Sequence, residues 1–384
     1  MAVPPREALR EALSVHPGDL KPLDALSLLD VEAMRLILLG ASVVDWDKLA
    51  FKTRDEVDHF LRLCRFDPNA PADETWMRSI VSDAVAYLRE TFRYRVADAV
   101  ANPVELHDLF LFASGVKEPR HRKIACIVLK VCHVIHHIEG RDLYHRLPLA
   151  EESFGVMAEE RVMHVCRQMM DAGFPILEAS SSSKSRTSLI TKLLQKSDTV
   201  AAQIYDRTRF RVVTEKPSDV APVLHCLSQR LFPFNLVLPG QTQNTLVDFA
   251  ELCRTTPAWA GLLGALQFGV DFTGDDSERP RRRKREPAAR NEFSGHSYKV
   301  LNFVVDLPLR IEAQHLSPEV ARATQARTVF CLVEIQIIDA ATARTNEEGD
   351  NNHERYKHRQ KLRVLRRLSR GLVVPRRDAP PKPS

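Results

Sequence analysis

The stretch VEIQIIDAATARTNEEGDNNHERYK, residues 333–357, decides how the second half of the chain is read. Its first residues alternate as a strand does, with Val333, Ile335 and Ile337 on one face and Glu334 and Gln336 on the other. A carboxylate among β-branched residues is costly to bury unless something pairs with it. Two answers are open for Glu334: an ion pair with a neighbouring arginine, or a bound cation or ligand. An acidic, Asn-rich turn follows, and then a basic segment, KHRQKLRVLRRLSR. As a helix this segment puts Leu362, Leu365, Leu368 and Leu372 on one side, with arginines around the rest.

Upstream, further strands are expected at FRVVT, FNLVL and YKVLNFVVDLPLRIEA, followed by TVFCLVEIQII itself. Helical stretches lie between them, at 217–231 and 244–267. Residues 1–175 read as helix instead, with apolar periodicity in 31–40, 56–65, 76–100, 104–114, 121–138 and 157–172. Asp30 and Gly40 are placed as the two ends of the first of these. After GFP at 173–175 the chain changes character: EASSSSKSRTS reads as a polar loop and SLITKLLQKSD as a short basic helix. The expected fold class is α+β, with an all-helical domain over 1–175 and a mixed-sheet α/β domain over 176–370. The Arg-rich segment 274–292 and the Pro-rich basic tail 371–384 lack core formers and read as disordered.

The 384 residues leave room for two domains, and a 44% hydrophobic content suits a buried core. The net charge of +5 does not by itself call for nucleic acid, but the arginines are clustered. Seven scattered cysteines without a C-x-x-C pair read as reduced thiols, which argues for a cytoplasmic protein and against a disulfide or zinc framework. MAVPPREALREAL lacks the apolar run of a signal peptide, and no run is long enough to span a membrane.

Asp206 opens DRTRFRVV at the mouth of a strand, and Lys184, Arg186 and Lys192 lie just upstream. Two carboxylates, Asp206 and Glu334, ringed by cations suit a polyphosphate held through Mg²⁺, which takes one or two protein carboxylates and fills its remaining positions with water and phosphate. The nearby cations would neutralise phosphate oxygens.

In order and spacing, five pieces of 180–357 resemble the synthetase domain of the RelA/SpoT family, the pyrophosphokinases that make (p)ppGpp. They are Lys184 in a basic loop with Ser188 to Lys192 after it, Asp206 with Arg211, the segment His296 to Asn302, Glu334-Ile335-Gln336-Ile337, and Glu348-Gly349 with His353, Tyr356 and Lys357. The resemblance implies a nucleotidyltransferase-like fold. It also implies an ATP:nucleotide 3′-pyrophosphotransferase that takes ATP and a guanine nucleotide, or another 3′-hydroxyl acceptor. Asp206 and Glu334 would hold Mg²⁺, with Glu334 also near the attacking hydroxyl, and Tyr298 would stack on the acceptor base. Lys184, Arg186, Lys192, Arg211, Asn302, Gln336, His353 and Lys357 would line the nucleotide sites. Ser182, Asn302 and Ile338-Asp339 depart from the family pattern, where it has Arg, His and Arg-Thr. These departures support a second reading, a catalytically degenerate module that binds nucleotide or RNA. RNA contact through the basic loop and tail is a minor expectation. The histidines of KVCHVIHHIEGRDLYH and the His107-Asp108 dipeptide are read as packing or surface residues, since no further ligands fall at metal-site spacing.

Overall fold

A computed structural model describes residues 9, 11–40, 49–183, 186–195, 208–260, 299–347, 361–366 and 368. The described chain is mostly helical, with one small mixed sheet. The main helices of the first half are Leu28–Leu39, Arg54–Leu63, Pro71–Phe92, Leu106–Ser114, Arg122–Arg146 and Glu151–Asp171. The sheet has five strands: β1 (Ile176–Ser183), β2 (Thr208–Thr214), β3 (Gln243–Asn244), β4 (Leu301–Arg310) and β5 (Thr328–Asp339). Their order is β1-β2-β5-β4-β3, with β2 and β5 parallel and the other neighbours antiparallel. No described helix is long and apolar enough to cross a membrane.

The first long helix begins three residues earlier than its sequence suggests. Ser27 is its cap and accepts from the Asp30 backbone N–H, while the Asp30 carboxylate reaches back to the Ser27 N–H. Asp30 is thus the third residue of a capping box and not the cap itself. At the other end Gly40 takes the left-handed conformation expected of it, with φ at 62°. The stretch 76–100 is not one helix: the chain leaves the helix at Phe92, and Arg93 adopts φ 58°, so that the Tyr94 N–H closes on the Leu88 carbonyl.

Two expectations about strands are corrected. Residues 178–183, expected as the start of a polar loop, belong instead to β1. The segment carries serines where strands usually carry apolar side chains, which an edge position tolerates because most of the strand is half-buried or exposed. FNLVL is not a strand: Phe234–Leu236 form a 3₁₀ turn after Pro233, and only Val237 bridges to the sheet, at Val305. In the C-terminal basic segment, 361–366 is helical. Its buried residue is Val364, whereas Leu362, Leu365 and Leu368 are exposed, so the leucine side does not pack inward. The segments 274–292 and 371–384 lie outside the described residues.

One face of the sheet is apolar. Phe210 and Val212 of β2, Phe303 and Val305 of β4, and Val333, Ile335 and Ile337 of β5 join the helices in one continuous hydrophobic cluster. The helix Glu151–Asp171 crosses this face: a Cβ on its Gly155 would lie 3.7 Å from Thr208 Oγ1. Arg161 of the same helix donates to the carbonyls of Pro308 and Leu231 and so holds it to β4.

The helix Arg122–Arg146 carries three histidines inward. His137 stacks on Phe330 at 4.2 Å, and His133 Nδ1 lies 3.1 Å from the Asn235 amide. His107 pairs with Asp58, and Asp108 with Lys117 at 2.7 Å. These contacts are packing and pairing roles. Burial, with His137 as a second cause, pushes His133 down to about 3, and burial drives His136 well below its ordinary value. Both are neutral in the folded chain, and each binds a proton on unfolding once the pH is below the ordinary histidine value. The unfolded state therefore holds more protons between about pH 3 and pH 6.5, and stability falls as pH falls through that window. Urea titrations at about pH 7.5 and pH 5 should give a lower midpoint at the acid end, and His133→Gln should flatten the difference. Equal midpoints at the two pH values would refute this.

Candidate functional site

The strand register brings distant parts of the sequence together on the second face of the sheet. β2 and β5 run parallel with Arg209 beside Glu334 and Arg211 beside Gln336. β4 places Val304 beside Glu334 and Asn302 beside Gln336. β1 places Ser182 beside Arg209 and Ser180 beside Arg211, while Gln243 of β3 lies beside Asn302. Two adjacent rows result. One runs Ser182, Arg209, Glu334, Val304, and the other runs Ser180, Arg211, Gln336, Asn302, Gln243. Side chains on alternate strand residues share a face, so one apolar residue falls among nine positions of a polar surface.

Glu334 is at the centre of this surface and is only 5% exposed. Arg209 reaches its Oε2 at 3.2 Å, and the Gln336 amide donates to its Oε1 at 3.2 Å. The strand carboxylate thus has the arginine partner that its burial requires. Each carboxylate oxygen accepts one identified hydrogen bond, so lone pairs remain. Next to it, Asn302 Oδ1 is buried and finds no hydrogen-bond partner among the described residues.

Both ends of the polar face are closed. At one end Val213, Val300, Ile338 and Ala343 form a small apolar cluster under the helix Ala340–Glu347. Asp339, fully buried, caps that helix by accepting from the Thr342 N–H at 3.0 Å. Ile338 and Asp339 therefore have fold roles, in apolar packing and in capping. Asn346 of the same helix brackets the Lys299 backbone, donating to its carbonyl at 2.7 Å and accepting from its N–H at 3.2 Å. At the other end Asp306 meets His137 at 3.2 Å, and Phe330 lies under the helix Arg122–Arg146.

Among the residues expected at a site, Glu334, Gln336, Arg211 and Asn302 are brought together on this face. Arg186 and Lys192 belong to the helix Arg186–Gln195, which follows β1. Asp206, Lys184, Tyr298, His353 and Lys357 lie outside the described residues. Arg209 was not among the expected site residues, although its spacing two residues before Arg211 on a strand sets both on one face. Among the described residues no three His, Cys, Asp or Glu side chains converge as a metal cluster. The oxygen donors present, Glu334 and Asn302 Oδ1, are of the hard type that Mg²⁺ prefers. The donor set therefore suits that ion, with Glu334 as the one carboxylate among the described residues of the two rows.

No protein-family model matches the chain, and no curated protein matches it significantly. Among solved structures, small alarmone synthetase 1 from Bacillus subtilis bound to its product pppGpp matches at 16% identity and TM-score 0.29, covering 56% of this chain and 82% of that one. Small alarmone synthetase 2 from the same organism matches at 15% identity and TM-score 0.28, covering 59% and 94%. A GTP pyrophosphokinase family protein from Streptococcus pneumoniae matches at 14% identity and TM-score 0.28, covering 56% and 84%. A likeness this loose carries no argument about the site.

Proposed function

We propose that the chain is a divergent RelA/SpoT-type pyrophosphokinase, with 176–370 as its catalytic unit and the helices of 1–175 as the support beneath it. The observation that carries this reading is the parallel pairing of β2 and β5. It sets Glu334 and Gln336, from the E-I-Q-I strand, beside Arg209 and Arg211, from the strand that follows Asp206 in the sequence. Those two sequence motifs are 125 residues apart at Arg209 and Glu334 and come from the same family pattern. In this reading the 3′-oxygen of a nucleotide bonds to the β-phosphorus of ATP, the bridge to the α-phosphate breaks, and AMP leaves. Glu334 orients the attacking hydroxyl and accepts its proton. Arg209 and Arg211 hold phosphate oxygens, and Asn302 and Gln336 orient the acceptor. Glu334 and Asp206 would hold Mg²⁺, which supplies charge neutralisation across the phosphates.

The experiment is incubation of the full chain with labelled ATP, Mg²⁺ and, separately, GDP, GTP and tRNA, followed by separation of the products. A labelled acceptor carrying two added phosphates, together with AMP, is the expected result. Absence of transfer to every acceptor would overturn the reading.

One observation favours a second reading, a module that binds nucleotide without turnover. Arg209 already occupies one oxygen of Glu334, as a purely structural strand carboxylate would have it. Nucleotide binding that is independent of Mg²⁺ and never followed by product would select this second reading.

A further inference from the structure

A second charged feature lies away from the polar face, where the N-terminal segment, the helix Glu151–Asp171 and the end of β4 meet. A recess of about 50 Å³, open to solvent, is lined there by Arg65, Arg161, Arg230, Arg310 and His164. No carboxylate belongs to the lining among the described residues. Leu9, Leu13 and Leu309 supply an apolar floor.

The arginines come from four separate elements, so no single helix face explains their meeting. Arg310 is held from behind by Asp73, with both contacts at 2.7 Å, and Arg230 by Asp19 at 2.5 Å. Arg161 is held by carbonyl dipoles, those of Pro308 and Leu231, through its two terminal nitrogens. Arg230 Nε is buried and finds no hydrogen-bond partner among the described residues. Burial, and then the neighbouring Arg65 charge, disfavour the charged form of Arg161. A guanidinium nevertheless keeps its proton in a protein, so the cost persists as a demand for nearby negative charge. A guanidinium carries five donors, so the contacts to Asp73, Asp19 and the two carbonyls leave further N–H groups for an anion.

We propose that this recess is an anion site that takes a phosphate or pyrophosphate group. The apolar floor excludes bulk water on one side, and the four guanidiniums approach from the others. His164 is exposed at the rim of the recess. The site is separate from the Glu334 face and does not depend on any chemistry there.

The test is calorimetric titration of the full chain with inorganic pyrophosphate at constant ionic strength, so that general screening is held fixed. Arg161→Met should abolish binding, but Arg161 also holds a helix to β4, so its loss can unfold the chain. His164→Asp avoids this, because His164 is exposed and places the new carboxylate at the rim. It should weaken pyrophosphate by roughly tenfold or more, the loss expected from placing a like charge beside a bound anion. Arg120→Met, at an exposed arginine away from both the recess and the sheet face, should leave the affinity unchanged, and Arg211→Met reports any pyrophosphate held at the sheet face instead. Absence of binding, an unaltered affinity in the His164→Asp protein, or a loss confined to Arg211→Met would each overturn the proposal.

Discussion

Asp73→Ala should destabilise the chain by about 3–5 kcal/mol, the cost of leaving a buried charge without its partner. Asp73 is 1% exposed, and both of its oxygens receive Arg310 at 2.7 Å, a two-point contact between planar groups. Its Oδ2 also accepts the Asp67 N–H at 2.7 Å, so truncation orphans a backbone donor as well. The pair joins the first turn of the helix Pro71–Phe92 to the last residue of β4, and Arg310 also donates to the Arg65 carbonyl. It therefore ties the helical half to the sheet at a point where helix and strand are 237 residues apart in sequence. Urea unfolding is the measurement, with the midpoint moving and the slope unchanged. The double variant Asp73→Leu with Arg310→Met should recover much of the loss, because the desolvation cost of both charges disappears with them. A single-variant loss below about 1 kcal/mol, the scale of an exposed pair, would show that the contact is not desolvated in solution.

The sequence makes the second half legible where strands are buried on their apolar side, and less so elsewhere. β4 alternates over most of its length, and β5 over 333–337 after a continuous apolar run, so their existence follows from the local pattern alone. β1 does not, because an edge strand reading ILEASSSS buries little and its serines resemble a loop. At Phe234 the reverse holds: an apolar run looks like a strand, but Pro233 and the neighbouring core turn it into a 3₁₀ corner. Ser27 shows why boundaries slip, since Ser27 and Asp30 are both good caps and only the reciprocal hydrogen bonds choose between them. The candidate site was legible as a set of residues but not as an arrangement. Glu334 needed a partner, and which arginine supplies it depends on the register between strands 125 residues apart, which no local pattern encodes. The arginine recess left no signal at all, because its cations are scattered over four elements and each looks like an ordinary surface charge in sequence.

Glu334→Gln should reduce pyrophosphate transfer by about 10²–10⁴-fold, the range typical of losing a positioned acid–base group. The substitution is close to isosteric. Its amide oxygen can still accept from Arg209, so the strand keeps its shape while the negative charge is removed. The stability change separates the two roles open to Glu334. Arg209 is 32% exposed at its side chain, so water takes up part of its charge when the carboxylate is lost. A structural pair of this kind should therefore be worth only about 1 kcal/mol. A carboxylate that serves chemistry gives a large rate loss alongside that small stability loss. A carboxylate that only satisfies Arg209 gives the stability loss alone, with nucleotide binding and turnover as in the parent chain. Arg209→Met separates the roles from the other side. It removes the partner and leaves Glu334 buried at 5% exposure, so a purely structural pair predicts destabilisation from both single variants. The catalytic reading predicts, in addition, a weaker apparent affinity for ATP in Arg209→Met, because the guanidinium assigned to a phosphate oxygen is lost with the side chain.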